Sequence, residues 1–176
     1  MVEKEISLKE TLQYLENKPE RPYLFLDTTS SLITFFTYKG TIFELNKNLL
    51  KKNIKQINEN DIKESFRETL IKSAKLGECL VINLDKNINI NIKGELNGLG
   101  FNINDLCDYS KNLTREYYVN NKYLKDDEDK DNFGNSGFYN PNDKFRICFL
   151  LSCNESDVEE SLKVNNNLDF ICIKVK

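Results

Sequence analysis

The chain has 176 residues, with 25 Lys and Arg against 28 Asp and Glu, and it contains no histidine. This length predicts one domain with a sizeable buried core, and the near balance of charge gives no reason to expect nucleic acid, which usually meets a basic surface. The missing histidine excludes Ser–His and Cys–His catalysis and the HExxH class of metal sites.

Signals for membrane insertion and secretion are missing from the sequence. No apolar run approaches the roughly 18 residues that a membrane-spanning helix needs, and the opening MVEKEISLKE lacks the apolar segment of a secretory signal. We therefore expect a cytoplasmic protein without a membrane partner. The five cysteines form no CxxC pair. Cys79, Cys148 and Cys172 lie in apolar runs, which indicates buried thiols of a reducing compartment rather than disulfides or zinc ligands.

The first predicted elements are a helix and a buried strand. Ser7 and Glu10 have the S-x-x-E spacing of a capping box, and leucines at helical spacing follow, so we predict a helix over 7–17. The leucines are Leu8, Leu12 and Leu15. The uninterrupted apolar run at 23–26 predicts a strand that is buried on both faces.

Residues 32–45, LITFFTYKGTIFEL, fit two interpretations. Their Thr, Ile, Phe and Tyr residues favour strands, and Lys39 with Gly40 could form a hairpin turn. The same residues could form a helix over 30–38 that ends at Gly40, followed by a strand near 42–45. We favour helix plus strand because helices and strands alternate in the rest of the chain.

A helix followed by a tight turn and a strand is the clearest predicted unit. Asp61 and Glu64 have capping-box spacing, and Gly77 stops the helix. Apolar residues at helical spacing form one face of this helix: Ile62, Phe66, Leu70 and Ala74. The run CLVINLD at 79–85 then predicts a second buried strand.

Three segments of different character follow that strand. Residues 86–104 are rich in Asn and Gly and predict a loop, and 105–124 predict a helix. Residues 125–143, KDDEDKDNFGNSGFYNPND, predict a flexible acidic insertion loop.

Two more strands complete the predicted fold. They lie at 145–152 and 170–175, and between them Ser156 and Glu159 are predicted to cap a short helix. Buried strands alternating with amphipathic helices predict a single α/β domain over 1–176, built as a three-layer sandwich on a mostly parallel sheet of about five strands.

Polar residues at the ends of the predicted strands are the candidate binding residues. In open α/β sheets, ligands bind at the carboxyl ends of the strands, where this chain has Asp27, Thr28, Asp85, Ser152 and Asn154. Asp27 and Asp85 could hold a cation across adjacent strand ends. We favour the alternative that Asp27 caps the next helix or turn. We predict no cofactor, no metal and no catalytic residue.

Three phosphate- or metal-binding motifs are absent on inspection. DTTSSL, after the first strand, has neither the glycines nor the lysine of a P-loop, and Asp27 would repel a phosphate there. GELNGLG at 94–100 matches neither GxGxxG nor a P-loop and is interpreted as a flexible loop. The acidic residues Asp127, Asp129 and Asp131 are spaced like the start of an EF-hand. Asn132 and Phe138 then stand where Gly and Glu are required, so we predict a solvated acidic loop.

Four segments, taken in order, carry a family resemblance: ERPYLFLD, FRETLIKSAKLGECLVINLD, YNPNDKFRICFLLSCNESDVEESL and LDFICIKV. They resemble the first strand, the helix with the Walker B-position strand, the sensor-position strand and the last strand of a P-loop-less AAA+ module of dynein heavy chains. The resemblance covers about 20–175 and implies a P-loop NTPase-like topology without a P-loop. Such a module completes a ring and transmits shape change without hydrolysing ATP. Thr28 and Leu84 depart from the family, which has Pro and an acidic residue there.

A second resemblance competes with the first. LFLDTTSSLITFFTYKGTIFE resembles the start of an actin/hexokinase-type ATPase domain, in which a strand ends in Asp-Thr-Ser and a hairpin follows. The later phosphate loop of that family has no match in this chain.

These features lead to one expected function and two alternatives. We expect a catalytically silent, AAA+-like protein-interaction or structural module that binds a protein partner, in the setting of a cytoskeletal assembly. The alternatives are a Mg²⁺-dependent enzyme using Asp27 and Asp85, and a domain that binds nucleotide without hydrolysing it.

Overall fold

Six parallel strands form one sheet in the computed structural model, which describes residues 2–17, 19–165 and 168–176. The strands are β1 Lys4–Ile6, β2 Tyr23–Asp27, β3 Gly40–Glu44, β4 Cys79–Asn83, β5 Arg146–Ser152 and β6 Ile171–Val175. Their spatial order is β1-β6-β2-β5-β4-β3, and every neighbouring pair is parallel.

The first long strand, β2, lies inside the sheet between β6 and β5, with Leu24 opposite Cys172 on one side and Phe149 on the other. Numbered from β2 along the chain, the last five strands lie in the order 5-1-4-3-2, which differs from the Rossmann and flavodoxin orders. The predicted class, a three-layer α/β sandwich on a parallel sheet, is confirmed.

The sheet has one strand more than predicted, because β1 was not expected. Its three residues include one buried apolar side chain, Ile6, so the sequence carries no strand-like run there. Pairing with β6 creates this strand, and Glu5 of β1 makes ion pairs with Lys174 and Lys176.

Helices cover the sheet unequally on its two faces. The helices are α1 Thr11–Glu16, α2 Leu32–Lys39, α3 Leu45–Asn53, α4 Glu59–Leu76, α5 Ile92–Gly98, α6 Ile103–Leu106, α7 Tyr109–Asn112, α8 Arg115–Asn120 and α9 Val158–Val164. The larger core cluster joins one face to α3, α4, α5, α6, α8 and α9, whereas the smaller one joins the other face to α1 and α2. Within the described residues, no helix is both long and apolar enough to cross a membrane.

The segment 32–45 forms helix plus strand, as favoured from the sequence. Helix α2 ends at Lys39, and β3 runs parallel to β4, so the hairpin required by the actin/hexokinase-type resemblance is not formed. Gly40 is needed at the junction, because a Cβ there would lie 2.6 Å from the carbonyl oxygen of Cys79.

The predicted unit of helix, glycine and strand is also present, with a different start. Gly77 has the left-handed φ of 73° and ends α4. The capping box consists of Asn58 and Asp61 rather than Asp61 and Glu64, so α4 begins three residues earlier than predicted.

Several predicted boundaries in the rest of the chain are wrong. Residues 86–104 contain α5 and the start of α6 instead of a loop, and 105–124 are divided into α6, α7 and α8 instead of one helix. The cause is local capping: side chains at short intervals accept hydrogen bonds from the amides that begin each new helix. They are Asn91, Asn102, Asp108 and Thr114.

Two predicted capping boxes behave differently from expectation. The Glu10 carboxylate accepts hydrogen bonds from the amide and hydroxyl of Ser7, but the residues between them form turns and α1 starts only at Thr11. Ser156 lies in a 3-10 turn, Glu155–Asp157, and its hydroxyl donates to Asp157 instead of capping α9.

Candidate functional site

A small cleft of about 160 Å³ lies at the carboxyl ends of the strands, where the sequence placed the binding site. Four of the five predicted residues line it: Asp27, Thr28, Ser152 and Asn154. Asp85 does not line the cleft, but its neighbour Lys86 does. The parallel register explains this grouping, because Asp27 pairs with Ser152 at the ends of β2 and β5.

Asp27 is fully committed to the start of α2. One carboxylate oxygen accepts hydrogen bonds of 3.0 Å from both the amide and the hydroxyl of Thr29, and the other accepts one of 2.8 Å from the amide of Leu32. The side chain is 1% exposed. The prediction that Asp27 ties down the chain after the first long strand is confirmed.

Asp27 and Asp85 do not stand at adjacent strand ends, as the cation hypothesis assumed. Strand β5 lies between β2 and β4, which separates the two strand ends by two interstrand spacings, roughly 9–10 Å. Asp85 is exposed, and its backbone carbonyl accepts a 2.8 Å hydrogen bond from the Ser152 amide. Among the described residues, no three Cys, Asp or Glu side chains are arranged to hold a metal ion.

The remaining side chains of the cleft offer little nucleophilic chemistry. Burial, together with the carboxylates of Asp157 and Asp27, raises the pKa of the Cys153 thiol to about 11, so it is protonated near neutral pH. Asn154 donates a long 3.4 Å hydrogen bond to Asp157. Lys86 is the cation at the edge of this cleft.

The acidic residues that resemble an EF-hand start serve the loop itself. Asp129 is buried, forms an ion pair with Arg115 and accepts hydrogen bonds from the amides of Gly137 and Tyr139. Asp131 accepts from the amides of Phe133 and Asn135 at 2.8 Å. These contacts use the oxygens that a Ca²⁺ ion would need. The acidic loop predicted at 125–143 is thus internally bonded at these two residues, while its predicted flexibility stays a prediction.

A larger groove at the opposite end of the strands was not foreseen. This basic groove, of about 530 Å³, lies between α1, the last residue of α2 and the first residues of β4 and β5. Leu12, Leu15 and Cys79 contribute apolar lining, and Lys39, Lys144 and Arg146 contribute positive charge. Glu16 and Glu78 also line it.

Arg146 is the unusual residue of the basic groove, because it is 7% exposed and has no carboxylate partner among the described residues. Its guanidinium donates to the carbonyl oxygens of Asn17, Asp143 and Phe145 at 2.7–3.0 Å. The group also lies 5.5 Å from the ring centre of Tyr109. A buried cation held only by neutral groups favours a nearby anion.

A third cavity differs from the basic groove because its arginine has carboxylate partners. It has a volume of about 520 Å³ and is lined in part by Arg21, Cys107 and Asp169. Arg21 forms ion pairs with Glu3 at 3.0 Å and Asp169 at 2.8 Å, so its charge is already balanced. Burial raises the pKa of the Cys107 thiol to about 12, which leaves it unreactive near neutral pH.

Comparison with known proteins gives no relative. Neither a family model, nor a curated protein, nor a solved structure matches this chain. The dynein-like resemblance therefore stays a prediction, and a function has to be inferred from the residues of the sites themselves.

Proposed function

We propose that this chain is a catalytically silent module with an AAA+-like core that acts by binding another protein. The resemblance to dynein modules suggests a cytoskeletal assembly as its setting. The proposal concerns a class of function, and the residues around Asp27 provide its main support.

The observation that carries the proposal is that both oxygens of the Asp27 carboxylate accept hydrogen bonds from amides at and just before the start of α2. In nucleotide-binding α/β folds, amides at the start of the helix after the first strand hold a phosphate. Here the amides of Thr29 and Leu32 donate to Asp27 at 3.0 Å and 2.8 Å. The Asp27 carboxylate, an anion of the chain itself, accepts the hydrogen bonds that a phosphate would need. It would also repel a phosphate placed beside it.

Two further features of the same end of the sheet agree with this proposal. Leu84 stands where the resembling family has an acidic residue, and it is 1% exposed in the core, so no carboxylate is offered there to a metal or a water. The cleft volume of about 160 Å³ is below the roughly 300 Å³ at which small-molecule pockets usually begin.

Thermal unfolding with ATP, ADP or GTP, each with Mg²⁺, tests the proposal against both alternatives. We expect the unfolding temperature to stay the same with each nucleotide. A rise of several degrees (for a domain of this size, about 1–2 kcal/mol of ligand stabilisation) that disappears in Asp27→Ala would overturn the proposal in favour of a nucleotide-binding or Mg²⁺-dependent domain.

The matched control is Asp85→Asn, which removes an exposed carboxylate close to the same strand ends. Because Asp27→Ala lowers stability by itself, the quantity to compare is the nucleotide-induced shift within each variant. A shift that Asp85→Asn removes and Asp27→Ala retains would place a cation at Asp85 and also contradict the proposal.

A further inference from the structure

A loop between α8 and β5 displays two phenylalanines to solvent. Phe133 is 90% exposed and Phe138 is 67% exposed. We call residues 131–138 the phenylalanine loop. An exposed pair of aromatic side chains on one short loop is typical of a protein-binding surface, because aromatic anchors dominate interface energetics.

The phenylalanine loop is held in shape before any partner arrives. Asp131 accepts hydrogen bonds from the amides of Phe133 and Asn135, and Asp129 accepts from the amide of Gly137 just before Phe138. The ion pair of Asp129 with Arg115 fixes this arrangement to α8. A braced loop loses less conformational entropy on binding than a free one does.

Exposed acidic residues precede the loop in the sequence. Asp126 and Asp127 are exposed and form no ion pair with any described residue. The basic groove has the opposite character, since Lys39 and Lys144 likewise form no ion pair within the described part of the chain. Three cations and two acids, Glu16 and Glu78, line the groove, which leaves it a small net positive charge.

The two surfaces do not meet within the folded chain. None of residues 131–138 lines the basic groove, and the side chains of Phe133 and Phe138 are 90% and 67% exposed. In this fold, a contact between the phenylalanine loop and the basic groove therefore needs two copies of the chain.

We propose that the basic groove binds the phenylalanine loop of a second copy, so that the protein assembles head to tail. Phe133 or Phe138 enters against Leu12 and Leu15, while Asp126 and Asp127 approach the cations of the groove. This inference rests on the proposed protein-binding function and names the partner. Because the two surfaces differ, the contact is heterologous, and a heterologous contact adds copies beyond a dimer as an open chain or a ring.

Other occupants fit the observations less well. An anionic membrane would attract the groove but repel the acidic residues beside the phenylalanines. A small anion would balance Arg146 and leave the exposed phenylalanines unexplained. The second copy accounts for both surfaces by charge complementarity, and a contact made through one loop belongs to the small, weak class of interfaces.

Sedimentation velocity from about 10 µM to about 1 mM tests the proposal. We expect the average mass to rise continuously with concentration beyond that of a dimer, and to fall again in salt of about 0.5 M. The loop variant Phe133→Ser/Phe138→Ser and the groove variant Lys39→Glu/Lys144→Glu should each remain monomeric. All four positions are exposed, and circular dichroism verifies that the variants fold.

Two matched variants control for changes in charge and hydrophobicity. Lys47→Glu/Lys163→Glu makes the same change in net charge at exposed lysines outside both surfaces. Leu50→Ser/Ile54→Ser removes two exposed apolar side chains, one in α3 and one directly after it. Both should assemble like the unaltered chain. Loss of assembly in either control would contradict the assignment of the two surfaces.

Mixing the loop variant with the groove variant gives the most specific result. Each retains the surface that the other lacks, so the mixture should form dimers and nothing longer. The charge-swapped chain combines Asp126→Lys/Asp127→Lys with Lys39→Glu/Lys144→Glu. It should self-associate at least tenfold more tightly than the groove variant Lys39→Glu/Lys144→Glu.

Three outcomes would overturn the inference: a monomer at every concentration, a mass that stops at two chains, or assembly that neither variant affects. None of these outcomes changes the result of thermal unfolding with nucleotides, which tests the proposed function separately. Conversely, a nucleotide shift dependent on Asp27 would overturn the proposed function while leaving the assembly result to be judged on its own.

Discussion

The amide of Leu32 donates a 2.8 Å hydrogen bond to the Asp27 carboxylate across five residues of chain, and this bond joins the end of β2 to the start of α2. Helix α2 itself has no side-chain cap at Ser31, so Asp27 performs that role from a distance. A strand-end residue that resembles a ligand-binding aspartate is here a structural cap.

Replacing Asp27 by alanine should lower the free energy of unfolding by about 1–3 kcal/mol, because the buried amide of Leu32 loses its partner. Asp27→Asn should cost less, since one amide oxygen can still accept. Urea unfolding measures both. The control Asp85→Asn should change stability by less than about 0.5 kcal/mol, and an equal loss in both variants would contradict the capping role.

Elements specified by neighbouring residues could be predicted from the sequence, whereas elements that depend on distant residues could not. A long apolar stripe ending at Gly77 allowed helix α4 and the following strand to be predicted, because both signals act within a few residues. Strand β1 was missed because its stability depends on β6, which follows more than 160 residues later. Helix α5 was missed, and α6 to α8 were predicted as one helix, because Asn is equally common in loops and at helix starts.

The sites differ in the same way. The cleft with Asp27 and Ser152 could be predicted, because parallel strands bring their carboxyl ends together at one edge. The basic groove exists because α1 and α2 cover only part of their face of the sheet. No residue in the sequence indicates which part of a sheet will be left uncovered. Leu12 was predicted as part of an apolar helix face, yet it is 38% exposed at this uncovered part. Its exposure follows from the small size of the layer formed by α1 and α2.

Arg67 is the cation whose removal should be most damaging. It is 6% exposed, pairs with Glu64 and Glu128, and donates to the carbonyl oxygen of Tyr123 at 2.8 Å. Arg67→Met should therefore cost about 1–3 kcal/mol, because the carbonyl oxygen of Tyr123 loses its donor while Glu64 and Glu128 remain partly solvated. Arg21→Met removes a more exposed cation whose ion pairs are screened by solvent, and it should cost less than Arg67→Met. Similar losses for the two in urea unfolding would contradict this ranking.

The same network should make stability depend on pH. Hydrogen bonds from Arg67 and then Lys125 lower the pKa of Glu64 from 4.5 to about 2 in the folded chain. A carboxyl with a depressed folded pKa contributes stability that is complete above about pH 4.5 and is lost as the pH falls toward about 2. The effect should be modest because Glu64 is partly exposed.

Urea unfolding at several pH values between about 6 and 2.5 measures this dependence. Glu64→Gln has no titrating group at this position, so its stability should fall less steeply over that range. Parallel curves for the two proteins would show that other carboxyls produce the acid sensitivity. Glu68→Gln, at an exposed position of the same helix, is the matched control and should follow the unaltered chain.

The last prediction concerns the brace of the phenylalanine loop. The carboxylate of Asp129 bonds to Arg115 and accepts from the amides of Gly137 and Tyr139 at 3.0 Å and 3.1 Å. Asp129→Ala removes these contacts, so amide hydrogen exchange at Gly137 and Tyr139 should accelerate by at least tenfold while exchange in β5 changes less. Asp126→Ala, at an exposed position with no such bonds, should leave exchange at both amides unchanged. If Asp129→Ala also left them protected, the loop would be held by its backbone contacts alone, and assembly through it would not depend on Asp129.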